Sequence, residues 1–364
     1  MLISAKSKET IDACRFCWMC RHICPIGNAT GQERNTARAR AVALSLVERG
    51  AAELDDCIDN IYECALCGAC TKDCATGWDP VMFTKEVRLE IATQGKLPAY
   101  VNKMLDNLDE CGNIYGVKEM DEELKKAIDS VSANADTVLF LGMDARAKAP
   151  TYAIEAIELL KKAGVKFTVL ADEPNSGWAL DTLVGAAEET KTTMKNAVKV
   201  LNGYKTVIAL DPVDAKTFLR EYKEWDLGLT AEVKTFTDFV AELIADGKLA
   251  VKKSAEKVSF QDPAQLARDL EEIEPARVIV SAVAENREML LFGRDTMFGG
   301  NLMMNEYIPT TMSWVAIERW KNFLATDANT LVCASPSEYE ILKANKPEGK
   351  NIVTVARLVL DALK

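Results

Sequence analysis

The sequence predicts an α+β chain, with a helical, cysteine-rich domain over residues 1–115 followed by two α/β halves, 130–250 and 255–364. Three observations carry this. Nine of the eleven cysteines lie before residue 75, the sharpest compositional break in the 364 residues. The stretches around and between those cysteines are rich in helix formers. From about residue 130 onward, short apolar runs alternate with amphipathic segments, the pattern of a parallel sheet covered by helices.

Taken in order, Asn35 to Leu44 is a run of helix formers with no breaker inside it, and Gly50 is its stop. After Cys74, Gly77 and Pro80 make a turn, and Val81 to Thr93 is again helical. Val138 to Gly142 is a short apolar run ending in glycine, the mark of a buried strand. Tyr152 to Gly164 is an amphipathic helix, Phe167 to Leu170 the next strand, Lys191 to Gly203 a helix and Thr206 to Leu210 a strand. Asp246-Gly247-Lys248 with Lys252-Lys253 marks the boundary between the halves. In the second half Val258–Phe260, Arg277–Val280, Thr330–Cys333 and Ile352–Val355 are the expected strands. Neither a G-x-G-x-x-G turn after a strand nor a G-x-x-x-x-G-K-[ST] loop occurs, so the fold class alone names no function.

Composition narrows the classes. Hydrophobic residues make 48% and charged residues 27%, an ordinary globular balance. The net charge of −11 argues against nucleic acid, which calls for a basic stripe, and against charge-driven binding to an anionic membrane. No run of eighteen or more apolar residues is present, so no membrane-spanning helix is expected. The first residues lack the apolar core and cleavage site of a signal peptide, and so many cysteines without an export signal point to the cytoplasm.

The cysteines repeat one rhythm. Cys14-x2-Cys17-x2-Cys20-x3-Cys24 is followed by Pro25, and Cys64-x2-Cys67-x2-Cys70-x3-Cys74 by Ala75. Three thiolates so spaced wrap one iron–sulfur cubane, and the fourth cysteine of such a run ligates the other cluster. The expectation is two [4Fe–4S] clusters in one crossed, ferredoxin-like unit. One is held by Cys14, Cys17, Cys20 and Cys74, the other by Cys64, Cys67, Cys70 and Cys24. Zinc sites pair a C-x2-4-C with a distant second pair, which this is not. A disulfide framework belongs to small secreted domains.

Other residues near or beyond the motifs have two readings. His22, the single histidine, is a surface residue or a group that tunes a cluster through a hydrogen bond. Trp18 shields the cluster from solvent. Cys57, Cys111 and Cys333 are core-packing thiols, with Cys111 at a domain junction. Met297 to Met304 is either core or a surface for a partner, since methionine and aromatic residues suit interfaces.

The whole chain resembles the iron–sulfur subunits of flavin-linked dehydrogenases, of the glycolate oxidase and anaerobic glycerol-3-phosphate dehydrogenase type, with the heterodisulfide reductase B subunit as a relative. CRFCWMCRHICPIG and CALCGACTKDCATG carry the N-terminal match, with Ala75 in place of the usual proline. The later match keeps the frame of two cysteine-rich "CCG" domains and loses their sulfur. Glu173-Pro174-Asn175-Ser176-Gly177 stands for E-P-C-C-G, and Met143 for the cysteine after Gly142. Asp211-Pro212-Val213-Asp214 stands for C-P-x-C. Gln261 to Arg268 looks like H-D-P-C-H-L-x-R, Ser335 to Tyr339 like C-P-x-C-Y, and Leu291-Phe292-Gly293 is a loose second C-C-G. Thiolate-held clusters have no ligands there; a hard cation at Asp211 and Asp214 is the minor alternative.

The resemblance implies an electron-transfer subunit, not itself catalytic, that relays electrons between a flavoprotein dehydrogenase, carrying FAD and oxidising a small hydroxy acid or polyol, and a further acceptor. The alternative is a catalytic subunit of heterodisulfide reductase type, with a substrate or cofactor site in the α/β halves.

Overall fold

The computed structural model describes residues 3–14, 17–131 and 134–364. Its secondary structure is mixed, with helix outweighing sheet. Residues 3 to 131 carry helices and no strand among those described. Helix Ala5–Asp12 packs on Ala37–Glu48 and Pro80–Thr93. Each has a local reason to start. Ser4 and Thr36 cap the first two by accepting backbone N–H groups, and Asp79 caps the third ahead of Pro80 at its first position. Helix Ala37–Glu48 ends just before Gly50, whose φ of 70° is open to glycine.

Two parallel sheets follow. The first joins β1 (Thr137–Phe140), β2 (Thr206–Ala209) and β3 (Glu232–Thr235) in the order β1-β2-β3, with Val138 opposite Val207 and Ile208 opposite Lys234. The second contains β4 (Lys257–Gln261), β5 (Glu285–Asn286), β6 (Thr330–Cys333) and β7 (Asn351–Thr354) in the order β5-β4-β6-β7. β6 is buried at every position, as a central parallel strand should be.

The sequence reading needs two corrections here. Arg277–Val280 is not a strand but lies within helix Glu274–Val283. Its β-branched residues suggested a strand, yet the buried positions Ala276, Ile279, Val280 and Val283 follow the helical spacing i, i+3, i+4, i+7, with Pro275 at the helix start. Phe167–Leu170 joins the first sheet only at Thr168, which exchanges backbone hydrogen bonds of 2.8 Å with Leu139 and Thr137. β3 was missed because Glu232 and Lys234 make it read as polar; charges of this kind protect an exposed sheet edge.

One continuous apolar core runs from Ile11 to Val359, so the cysteine-rich segment and both sheets are packed together. A second cluster, with Val138, Phe140, Val207 and Phe218, covers the other face of the first sheet. Helix Pro80–Thr93 lies against Trp178–Val184, and helix Pro25–Thr30 against Pro309–Leu324. The Met297–Met304 stretch is core: Met303 and Met304 are 2% and 1% exposed, so the surface reading is withdrawn.

Candidate iron–sulfur site

The two cysteine motifs fold alike. Trp18 follows Cys17 with φ 71° and ψ −1°, and Gly68 follows Cys67 with φ 70° and ψ 0°. Each left-handed residue opens a five-residue helix, Met19–Ile23 and Ala69–Asp73, that carries the third cysteine. The fourth cysteines end those helices in the same extended conformation, Cys24 at φ −71°, ψ 114° and Cys74 at φ −75°, ψ 113°. The two short helices pack against each other. A twofold repeat in sequence has thus become a twofold repeat in backbone.

The copies part after the fourth cysteine. Pro25 starts helix Pro25–Thr30, with Cys24 as its cap: Gly27 N–H donates to Cys24 Sγ at 3.4 Å. Ala75 starts no helix, and the Cys74 thiol lies 3.1 Å from Thr76 Oγ1.

Cys24 of the first motif and Cys64, Cys67 and Cys70 of the second line one cavity, together with Pro25, Leu66 and Arg40. Burial pushes the thiols of Cys24, Cys67 and Cys70 up, Cys67 to about 11 and Cys70 well above its ordinary value, with the neighbouring cysteines adding to the shift of Cys70. Metal binding therefore has to displace protons from them. Cys20 is buried within electrostatic reach of Cys14 and Cys17, and burial raises its thiol as well. Cys17 is exposed, and Cys14 is half-buried.

Three arginines stand around the four-cysteine group, Arg40 lining its cavity and Arg88 and Arg268 bonding the backbone of its cysteines. Arg88 Nη2 donates to Cys64 O at 2.8 Å and to Ile61 O at 3.0 Å. Arg268, from the far α/β half, donates through Nη1 to Cys67 O at 2.7 Å. Arg40 reaches the cavity from helix Ala37–Glu48, and its Nε donates to Asn60 O at 2.8 Å. Among the described residues no three His, Cys, Asp or Glu side chains converge on a single metal-ion position. A cubane asks for no such shared position, since each cysteine takes its own iron. Soft thiols, an enclosing cavity and facing positive charge fit an anionic iron–sulfur group.

The remaining sequence candidates fall into place around it. Trp18 does not seal the site: it is 41% exposed, with the Arg38 guanidinium 4.2 Å from its ring centroid. His22 is exposed in helix Met19–Ile23. Cys57 and Cys333 are core thiols at 4% and 0% exposure. Cys111 is not core, but lines a cavity of about 320 Å³ beside the first sheet.

That cavity gathers positions that the sequence resemblance sets against cysteines of a CCG frame. Met143, Asn175, Ser176 and Asp214 all line it. Glu173 accepts from Leu141 N–H at 2.7 Å and Gly142 N–H at 2.8 Å, fixing the loop after β1. Tyr115 OH donates to Asp144 at 2.6 Å, and Ser176 Oγ donates to Asp214 at 2.5 Å. Burial raises the carboxyls of Asp144, Asp211 and Asp214, and for Asp211 the neighbouring acids push it further. Cys111 is the one thiol among the residues that line it, too few to hold a thiolate-ligated cluster.

The matching positions of the second half are filled instead by side chains. Arg319 Nε donates to Gln261 Oε1 at 2.6 Å, and Gln261 Nε2 donates to Glu338 Oε1 at 3.1 Å. Arg277 pairs with Asp262, which also accepts from Gly293 N–H at 2.7 Å. Sequence reasoning missed Arg40, Arg88, Arg277 and Arg319 because arginines on helices read as solvent-facing; Arg40, Arg88 and Arg319 are each no more than 2% exposed.

Comparison with known proteins agrees with this picture. Residues 10–78 match the family described as "4Fe-4S dicluster domain". A solved glutamate racemase from Bacillus anthracis aligns with a TM-score of 0.32 at 14% identity, over 63% of this chain and 80% of its own, and carries no argument. A probable iron-sulfur-binding oxidoreductase, FadF, of Bacillus subtilis is 25% identical over 76% of this chain and 42% of its own length. An EtfAB:quinone oxidoreductase of Syntrophomonas wolfei is 24% identical over 71% and 43%. The D subunit of the dihydromethanophenazine:CoB–CoM heterodisulfide reductase of Methanosarcina acetivorans is 27% identical over 96% of this chain and 91% of its own. The chain is therefore homologous to iron–sulfur oxidoreductase subunits of the heterodisulfide reductase D and FadF kinds, with a 4Fe–4S dicluster segment at its N-terminal end.

Proposed function

We propose that this chain is an electron-transfer subunit holding two [4Fe–4S] clusters, one on Cys14, Cys17, Cys20 and Cys74 and the other on Cys64, Cys67, Cys70 and Cys24. The observation that carries the reading is the single cavity lined by Cys24 together with Cys64, Cys67 and Cys70. A fourth ligand drawn from the other motif is what the crossed arrangement requires. When bound, such clusters take up and release single electrons. The protein supplies thiolates, buried positive charge and an exposed side around Cys17, Trp18 and Met19, where a donor can approach.

The partner in this reading is a flavoprotein dehydrogenase for a small hydroxy acid or polyol, with FAD on that partner, and a further subunit takes the electrons onward. Relatives named as a heterodisulfide reductase subunit and an EtfAB:quinone oxidoreductase support work within an oxidoreductase complex. The domain division 1–115, 130–250 and 255–364 and a cytoplasmic location belong to the same proposal.

The test is a count and a spectrum. The chain purified without oxygen should hold eight irons and show two interacting cubane signals when reduced. Cys24→Ser should weaken the cluster of the second motif and leave that of the first. Loss of the first-motif signal instead would rule out the crossed ligand set.

A second reading has one observation in its favour. The cavity beside the first sheet is lined by Trp178, whose Nε1 has no partner, and by Asp214, whose Oδ2 has none. Buried polar groups normally find partners, so this cavity is the place for a substrate or cofactor if the chain is itself catalytic. Turnover of a disulfide substrate by the isolated chain with a reduced dye would replace the carrier reading with this one.

A further inference from the structure

The two cysteine groups are electrically unequal, and Arg40 is the reason. Its side chain is 2% exposed. The guanidinium lines the Cys24–Cys64–Cys67–Cys70 cavity and stands within electrostatic reach of Cys24, Cys64 and Cys70. Nε is used on Asn60 O, but Nη2 is buried with no hydrogen-bond partner among the described residues. An unsatisfied N–H on a buried cation is expensive unless an acceptor meets it. Glu63, the nearby acid, pairs with Arg34 at 2.6 Å, and Arg40 makes no ion pair among the described residues. Arg88 and Arg268 add positive charge nearby, yet they direct N–H groups at the carbonyl oxygens of Cys64 and Cys67. Arg88 Nε is also buried without a partner among the described residues, but of the three arginines only Arg40 lines the cavity.

Among the described residues no fully buried arginine stands beside the other group. Cys17 is exposed, and Trp18 and Met19 are 41% and 51% exposed. The cations there, Arg38 and Arg21, stand over the Trp18 ring at 4.2 and 5.5 Å, and Arg38 also pairs with Glu33. Arg21 is exposed and screened by water, while the Arg38 side chain is 21% exposed and its charge is offset by Glu33. A buried fixed charge and a hydrogen bond to cluster sulfur both favour the reduced, more negative state, because net charge, hydrogen bonding and exposure are what set these potentials.

We propose that Arg40 holds the reduction potential of the Cys24–Cys64–Cys67–Cys70 group above that of the exposed group, by presenting a fixed positive charge and the Nη2 donor to its sulfur. The inference rests on the two-cluster reading above. A reduced one-electron carrier loses one electron at the exposed side, and the buried group gains it. No proton accompanies the transfer, since an arginine does not titrate. Arg40 is a positioning residue in this scheme: it orders the direction of flow along the chain.

The experiment is a potentiometric titration of the whole, cluster-loaded chain, followed by electron paramagnetic resonance. Wild type, Arg40→Lys and Arg40→Gln are compared, with Cys24→Ser assigning the buried signal. The expected order of the buried midpoint is wild type, then lysine, then glutamine at the lowest, with the exposed midpoint unchanged. Equal midpoints in all three, or a shift confined to the exposed signal, would overturn the proposal. Should Arg40→Gln fail to assemble, Arg40→Lys decides alone, because it keeps the charge and loses the Nη2 donor. An unmoved midpoint there is equally fatal. A wild-type chain with fewer than two cubane signals overturns the two-cluster reading itself, which the iron count reveals before any titration.

Discussion

At Glu338, burial decides the charge. This carboxyl accepts from Gly299 N–H at 2.8 Å and from Gln261, and it lies near Arg319, but enclosure still pushes it up to about 7. Enclosure also pulls Arg319 down to about 10. Both shifts oppose the charged pair, so desolvation outweighs mutual attraction here. The consequence for stability has a definite sign. Below 4.5, the ordinary value, Glu338 is neutral in both folded and unfolded chains. As pH rises through about 7 the folded chain has to accept a buried carboxylate, and that contribution to stability is lost. Glu338→Gln has no such loss, so its melting temperature relative to wild type should rise between pH 5 and pH 8. A relative melting temperature that stays flat across that range would disprove the assignment.

The cysteine hairpins show what an element needs beyond its ligands. Trp18 and Gly68 share one left-handed conformation. An L-residue placed there costs about 1–2 kcal/mol, whereas glycine is at ease. Beside Gly68 a Cβ would meet only Arg268 Cδ, at 3.8 Å, so room is not the obstacle. Gly68→Ala should therefore lower stability through backbone strain alone, by about 1 kcal/mol. Trp18→Gly should be close to neutral, since relief of that strain offsets the loss of the Arg38 contact, worth about 0.5–1 kcal/mol at an exposed site. Thermal unfolding of the cluster-loaded variants checks both, and a neutral Gly68→Ala would contradict the argument. The left-handed step after Cys67 was readable from its glycine; the one after Cys17 was hidden behind a tryptophan.

Over the whole molecule, the α/β halves grip the cysteine segment through backbone carbonyls. Tyr307 OH donates to Tyr62 O at 2.8 Å, Tyr62 OH donates to Leu183 O at 2.8 Å, and Tyr100 and Tyr307 stack with centroids 4.5 Å apart. Arg268 spans 201 residues of sequence to hold Cys67 O. These bonds hold the loop that carries Cys64, Cys67 and Cys70 against helices and turns of both α/β halves. Arg268→Ala should leave the chain folded and raise amide exchange in residues 64–70 above that in residues 17–24. Equal protection of that loop in variant and wild type would mean that the far half does not brace it.

The sequence alone determined the cysteine set, its doubled rhythm and the presence of paired α/β segments. Ligand spacing and hydrophobic periodicity are local properties, visible within a dozen residues. The same local signals failed at Arg277–Val280, where β-branched residues sat on a helix whose buried face only the packed structure revealed. They also predicted a full strand at Phe167–Leu170, where a single residue joins the sheet. The meeting of Cys24 with Cys64, Cys67 and Cys70 was expected from the doubled motif, whereas the gathering of Met143, Asn175, Ser176 and Asp214 around another cavity was decided by tertiary structure. So was the burial of Arg40. A helix's own sequence does not say which of its charged faces another element will cover, and that covering gives a charge its force by removing water.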